Sequence, residues 1–191
     1  AQSISASALI SLDAQYSGTV NASSVNTVTG TAAEINAVYA SSGISGLGNE
    51  VIIITDTSIN ASALITLNVL TSGVVNAAAI TTITGKASDV IAAYTANTAG
   101  TITGLGNEAV TLTDTSIDAS ALINLNILTT GVVNAAAITT ITGTVAQLIS
   151  VFASNTAGTI TGLGNEAITI TAPLTVAQFN ALAAQTTGVI T

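Results

Sequence analysis

The sequence predicts an α/β fold: an elongated solenoid in which every coil carries one short helix and short parallel strands. Three observations lead there. The 191-residue chain matches itself at an offset of 58: residues 58–85 read SINASALITLNVLTSGVVNAAAITTITG, and residues 116–143 read SIDASALINLNILTTGVVNAAAITTITG. Each 58-residue repeat splits into two related halves with the same punctuation: strand, polar cap, amphipathic helix, glycine, strand. The cap positions 5, 31, 60, 86, 118, 144 and 175 lie 26 to 32 residues apart, which sets a coil of about 28 residues. A single coil of that length has an apolar face with nothing to cover it, and stacking covers it.

The organisation follows from the repeat. Residues 1–57 form a first, more divergent unit, 58–115 a second, 116–173 a third, and 174–191 the start of a fourth, all in one continuous solenoid. The first unit is three residues shorter, the loss falling between Tyr39 and Gly46, where an effect on a loop is expected. Ser3 aligns with Ser58, and Thr191 with Asn76 and Asn134. With no polar cap legible at either end, the expectation is a segment of a longer array or subunits that stack end to end.

The elements follow in order. In the first kind of half, Ser5, Asn60, Asp118 and Thr175 are N-caps, and Gly18, Gly73, Gly131 and Gly188 follow thirteen residues later as helix-ending glycines. In the second kind, Thr31–Glu34 and Thr144–Gln147 have capping-box spacing, as does Thr175–Gln178 at the chain end; Lys86 replaces the capping Thr in the middle copy. Buried helix stripes are read at Ile35, Val38 and Tyr39, at Leu64, Leu67 and Leu70, at Val90, Ile91 and Tyr94, and at Leu148, Val151 and Phe152. Tyr16 and Phe179 are placed on such stripes too. Ala61, Ala63 and Ala77 to Ala79 are read as small helix positions that let helices approach closely. Val51–Thr55, Val110–Thr113 and Ile168–Thr171 alternate apolar residues with Thr in the main and are read as strands, as are Val74–Val75, Ile80–Thr84, Val132–Val133 and Ile138–Thr142. Pro173 is punctuation before the helix that Thr175 caps.

Composition excludes much chemistry. The chain has no His, Cys, Met or Trp, one cation (Lys86) and nine acids, for a net charge of −8. The common zinc, haem and iron–sulfur ligand sets are missing, as are thiol and imidazole catalysts. One cation cannot neutralise a phosphate backbone, so no nucleic acid is expected as a partner. Mean hydropathy is +0.73, yet Thr, Ser or Asn interrupts every apolar run well short of the ~20 residues that span a bilayer. No membrane span is expected.

The recurrent motifs read as structure. GLGNE at 46–50, 104–108 and 162–166 leads into a strand and lacks Lys, unlike the phosphate-binding patterns G-x-G-x-x-G and GxxxxGK(S/T) that open helices. It is read as a corner whose glycines take positive φ, with Asn49, Asn107 and Asn165 bonding local backbone. Glu50, Glu108 and Glu166, with Asp56 and Asp114, are the one calcium candidate; helix-entry capping is the competing reading of the two aspartates. Asn21, Asn76 and Asn134 recur at one place in each unit and suggest an Asn ladder. Thr-x-Thr recurs at 82–84, 101–103, 111–113, 140–142, 159–161 and 169–171. A flat Thr array would suit ice, but these pairs fall at different places in the coil. Asp13 is read as a solvated helix residue. No catalytic, cofactor-binding or metal-ligating residue is assigned.

The stretch GTAAEINAVYASSGISGLGNE, the phrase TDTSIDASALINLN and the closing LTVAQFNALAAQTTGVIT resemble tandem repeats of very large cell-surface and secreted proteins of marine cyanobacteria. The similarity covers essentially the whole chain, and Tyr-Ala-Ser-Ser-Gly-Ile-x-Gly-Leu-Gly-Asn-Glu at 39–50 is its most distinctive string. It implies an extracellular or cell-surface location and a spacer, adhesin or surface-layer role. Similar repeats in a phage fibre are an alternative. The functional expectation is a non-catalytic structural module that associates end to end or within a longer array. The rival is an adhesin-type module that meets glycan, a cell surface or ice through a Thr- and Asn-rich face.

Overall fold

The computed structural model describes residues 2–191; residue 1, with which the first unit opens, lies outside the described residues. Strands and helices alternate along the chain. In order they are β1 Gln2–Ser5, α1 Ala6–Gln15, β2 Val20–Asn21, β3 Val25–Gly30, α2 Ala32–Ala40, β4 Ile44–Ser45, β5 Val51–Ile54, β6 Ser58–Asn60 and α3 Ala61–Leu70. There follow β7 Val75–Asn76, β8 Thr82–Gly85, α4 Ala87–Ala99, β9 Ile102–Thr103, β10 Ala109–Leu112, β11 Ser116–Asp118 and α5 Ala119–Leu128. The last elements are β12 Val133–Asn134, β13 Thr140–Gly143, α6 Val145–Ala157, β14 Ile160–Thr161, β15 Ala167–Ile170 and α7 Val176–Ala183. The fold is α/β, its strand pairs are parallel and its sheets are open.

The helices begin where the caps predict. Ser5, Asn60 and Asp118 accept from the amides of Ala8, Ser62 and Ser120, and Thr31, Thr144 and Thr175 close capping boxes with Glu34, Gln147 and Gln178. Their ends differ from the expectation. None of Gly18, Gly73, Gly131 and Gly188 has positive φ, and the C-caps Tyr16, Thr71 and Thr129 are extended. The left-handed glycines are Gly100 and Gly158, after the thirteen-residue helices α4 and α6. The three residues missing from the first unit therefore shorten a helix rather than a loop, since the matching α2 has nine residues. Ala77 to Ala79 are not helical; they form the turn after β7, closed by Ile80 N–H donating to Ala77 O.

Two compact units divide the chain, and neither follows the repeat boundaries: Ala1–Thr81 with Ala92–Leu105, and Thr82–Ile91 with Gly106–Thr191. In the first, β1, β3, β5, β7 and β9 form one parallel sheet in that order, and β2 pairs with β4. Helix α1 packs on α2 and α2 on α3. Leu9, Ile35, Ile52, Ile54, Leu64 and Leu67 are fully buried there. In the second, β8, β10, β12 and β14 pair in sequence, and β11, β13 and β15 form another sheet that Ile190 extends by a bridge to Ile168. Helix α6 packs between α5 and α7. Leu122, Leu125, Ile141, Leu148, Val151 and Phe152 make up much of its core.

The ladders do not step by the sequence repeat. Ile83, Val110 and Val133 are consecutive partners, so two steps take 50 residues; Ile117, Ile141 and Ile168 take 51. Each 58-residue repeat is thus seven or eight residues longer than two steps of a ladder. Ile4 and Ile117 are equivalent in sequence, yet their strands open different sheets.

Two of the aromatics placed on buried stripes are not core. Tyr16 is 60% and Phe179 42% exposed, whereas Tyr94 and Phe152 are buried. Tyr39 is half-buried.

Candidate functional site

The recurrent motifs converge on one construction, a corner that receives the turn ending the next helix of the α1, α3, α5, α7 kind. The corner comes from GLGNE. Both of its glycines take positive φ in every copy, for example 84° and 136° at Gly46 and Gly48, a conformation that side chains with a Cβ disfavour. That tight reversal points the glutamate back at its own loop. The Gly48 amide donates to Glu50 Oε2 at 2.8 Å, Gly106 to Glu108 Oε2 at 2.8 Å and Gly164 to Glu166 Oε2 at 2.8 Å. All three glutamates are 0% exposed. The side chain that bonds the corner's backbone is therefore the glutamate; Asn49, Asn107 and Asn165 are exposed.

The receiving turn reads Thr-Ser-Gly or Thr-Thr-Gly. Thr71 Oγ1 donates to Glu50 O at 2.7 Å and accepts from Gly73 N–H at 2.9 Å. Thr129 does the same with Glu108 and Gly131, and Thr186 with Glu166 and Gly188. The residue after each Thr adds a backbone bond: Ser72 to Gly48 O at 2.8 Å, Thr130 to Gly106 O at 2.9 Å, Thr187 to Gly164 O at 2.8 Å. A Cβ on Gly73, Gly131 or Gly188 would overlap the carbonyl of Glu50, Glu108 or Glu166. Close backbone approach, and not helix ending, is why glycine stands there.

Aromatic residues vary the theme. Tyr39 Oη donates to Glu50 Oε2 at 2.8 Å. Burial, the bond to Glu50 and the Glu50 charge all push the Tyr39 hydroxyl's pKa well above its ordinary value. In the third copy Phe152 stands where Tyr39 and Tyr94 stand in the others. The longer helices add a second hold: Asn97 accepts from Leu105 N–H at 3.1 Å and donates to Leu105 O at 3.3 Å, and Asn155 repeats both bonds with Leu163.

The remaining acids are spent on local structure. Asp56 Oδ2 accepts from the first amide of α2, Ala32 N–H, at 2.7 Å, and Asp114 does the same for Ala87 of α4. Helix-entry capping is thus right in kind, but each aspartate serves an earlier helix, 24 residues back for Asp56 and 27 for Asp114. Asp13 is not simply solvated; it is half-buried and accepts from Ser41 Oγ at 2.6 Å. Among the described residues, no group of three or more His, Cys, Asp or Glu stands together to hold a metal ion.

The Asn ladder does not form. Asn21, Asn76 and Asn134 each accept from the amide two residues on, at 3.0 Å, and their in-register neighbours are Ser, Ile or Thr. The Thr pairs do come into register. Thr84, Thr111, Asn134 and Thr161 stand side by side on β8, β10, β12 and β14. Sequence comparison at an offset of 58 could not align them, because the ladder steps by 23 or 27 residues. A self-comparison of half-repeats shifted by those steps would have.

An apolar groove of about 320 Å³ lies between α6 and α7, lined by Ile149, Phe152, Ala153, Thr156, Ala181 and Gln185. Gln185 stands where α3 and α5 have Leu70 and Leu128. Among the described residues no helix is long and apolar enough to cross a membrane. No protein-family model, no curated protein and no solved structure matches the chain.

Proposed function

We propose that the chain is a non-catalytic structural module, a solenoid of stacked coils that acts as a spacer or scaffold in a long extracellular surface protein, surface layer or filament. The observation that carries this is the use made of the repeated polar groups. Thr71, Thr129 and Thr186 donate to the backbone carbonyls of Glu50, Glu108 and Glu166 across a step of the stack, Asp56 and Asp114 cap helices that begin 24 and 27 residues earlier, and the three glutamate side chains brace their own corners. A catalytic group needs an exposed face toward a substrate, and these carboxylates and hydroxyls are turned inward. The resemblance to cell-surface repeat arrays supports the location. Small-angle scattering of the purified chain tests the shape: a rod-like profile is expected, and a compact sphere overturns the reading. Sedimentation across a wide concentration range tests end-to-end association.

A second reading has an observation of its own. The row Thr84, Thr111, Asn134, Thr161 presents hydroxyl and amide groups at the strand spacing of ~4.8 Å. A regular polar row of that kind suits an adhesin that meets glycan, a cell surface or ice. A glycan array together with a thermal-hysteresis assay separates the two readings; silence in both leaves the spacer.

A further inference from the structure

We infer that the turn Tyr16–Gly18 after α1 is a seat for a Gly-Leu-Gly-Asn-Glu corner supplied by another repeat of this kind, and that Tyr16 plugs that seat in the present chain. The inference rests on the stacked-coil reading and names the surface through which a further unit would be joined.

Four turns share one position in the repeat: Tyr16–Gly18, Thr71–Gly73, Thr129–Gly131 and Thr186–Gly188. The last three each seat a corner, through the amide of the middle residue, the Thr hydroxyl and the bare α-carbon of the glycine. In each, a Cβ built on the glycine runs into the backbone of the corner's glutamate. At Gly18 the same construction meets the ring of Tyr16 instead, with Cε1 at 2.8 Å, Cζ at 2.9 Å and Oη at 3.0 Å. The ring occupies the place that a corner takes elsewhere. It is 60% exposed, and Ser17 and Gly18 are exposed with it.

The substitution has a physical logic. A Thr at this position bridges the glutamate carbonyl and the glycine amide because its hydroxyl is one bond from Cβ. The Tyr hydroxyl sits at the far end of a ring and cannot make that bridge, but the ring can shield a turn that no corner covers. The seat wants a partner with two inward carbonyls two residues apart and backbone that can lie flat on a glycine. GLGNE supplies these as Gly48 O and Glu50 O. The corners at 46–50, 104–108 and 162–166 each already hold a turn, so the occupant is a further copy of the repeat.

The test places a copy of residues 58–115 directly before Ser3 of the full chain, which keeps the repeat in phase. Hydrogen exchange should then show the Ser17 and Gly18 amides protected at least tenfold over the parent chain. Tyr16→Thr should raise the Tm of the extended chain by about 2–4 °C, and lower or leave unchanged that of the parent, where the ring is lost with nothing gained. Equal shifts of the same sign in both chains, or unprotected Ser17 and Gly18 amides in the extended chain, overturn the inference. Small-angle scattering separates the two failures. An extended chain that lengthens while Ser17 and Gly18 stay unprotected sinks the seat alone, and one that does not lengthen sinks the stacked-coil reading as well. Should the Tyr16→Thr chains fail to fold, the exchange measurement on the unsubstituted extended chain still decides.

Discussion

Asp56 Oδ2 accepts a hydrogen bond from Ala32 N–H at 2.7 Å, so the helix α2 is capped by a side chain 24 residues further along the chain. The same relationship joins Asp114 to Ala87, where Lys86 leaves the helix without a capping hydroxyl. A free first-turn amide is satisfied, and negative charge is placed at a helix N-terminus. At the third site the equivalent residue is Ala172, although the backbone arrives in the same way, with Thr171 N–H donating to Gly143 O as Thr113 donates to Gly85 O.

Asp56→Ala is therefore expected to cost about 1 kcal/mol, and Ala172→Asp to add about as much by capping α6. Urea unfolding of the two variants checks both signs. An Ala172→Asp chain no more stable than its parent would show that the third site does not repeat the geometry.

The glutamates invite a paired exchange. Tyr39→Phe removes a hydroxyl from the buried Glu50 carboxylate and should destabilise by about 1.5–2 kcal/mol, the lower part of the range for bonds to charged groups because Tyr39 is half-buried. Phe152→Tyr offers Glu166 the hydroxyl it lacks and should stabilise by about 1 kcal/mol. Thermal unfolding reads both.

Gly73→Ala and Gly131→Ala force a Cβ into the carbonyls of Glu50 and Glu108, which are backbone atoms and cannot step aside. A loss of about 1–3 kcal/mol or more is expected at each. Gly18→Ala meets only the movable ring of Tyr16 and should stay within about 0.5 kcal/mol. Equal losses at Gly18 and Gly73 would show that these glycines serve backbone conformation instead.

Asn126 on α5 donates to Ser154 of α6 at 3.5 Å, and Asp13 on α1 accepts from Ser41 after α2. Asn68 holds the same position on α3, but the residue matching Ser41 and Ser154 is Ala96, which offers the Asn68 side-chain amide no hydroxyl; the Oδ1 atoms of both Asn68 and Asn126 are buried without a partner. Ala96→Ser should add about 1 kcal/mol by giving the Asn68 side-chain amide the hydroxyl acceptor that Ser154 gives Asn126. The double variant Asn68→Ala, Ala96→Ser should lose that gain.

Stability should fall at both ends of the pH scale. The backbone amide of Thr31, followed by its hydroxyl, holds the Glu34 carboxyl below its ordinary value. A lowered carboxyl contributes stability that is complete above about pH 4.3 and is lost as pH falls through the lowered value. Tyr39 is raised, so its contribution is complete below about pH 10 and is lost as pH rises through the raised value. A Tm profile of Glu34→Gln, which keeps the capping box as Gln147 and Gln178 do, should lose part of the acid limb. Tyr39→Phe should lose part of the alkaline limb.

Much of this was legible in the sequence because it is local. Thr31 with Glu34, Thr144 with Gln147, and the caps at Ser5, Asn60 and Asp118 depend on neighbours two or three residues away, and helix geometry sets those distances. The alternation around Ile83, Val110 and Ile141 marks strands because side chains in a strand point alternately to opposite faces. The corner glycines were legible because only glycine takes positive φ cheaply.

The partner of each strand was decided only in the tertiary structure. A ladder sets its register by which apolar side chains share a face, and two of its steps take 50 or 51 residues while the sequence repeats every 58. Those surplus residues put Asn134, and not Thr142, the counterpart of Thr84 in the next repeat, two strands along the ladder from Thr84. They also hide from sequence comparison that Gly73 faces Glu50, and that Asp56 serves Ala32. Local patterning chose the elements; packing between elements distant in sequence, where one residue's carbonyl excludes another's Cβ, chose which of them meet.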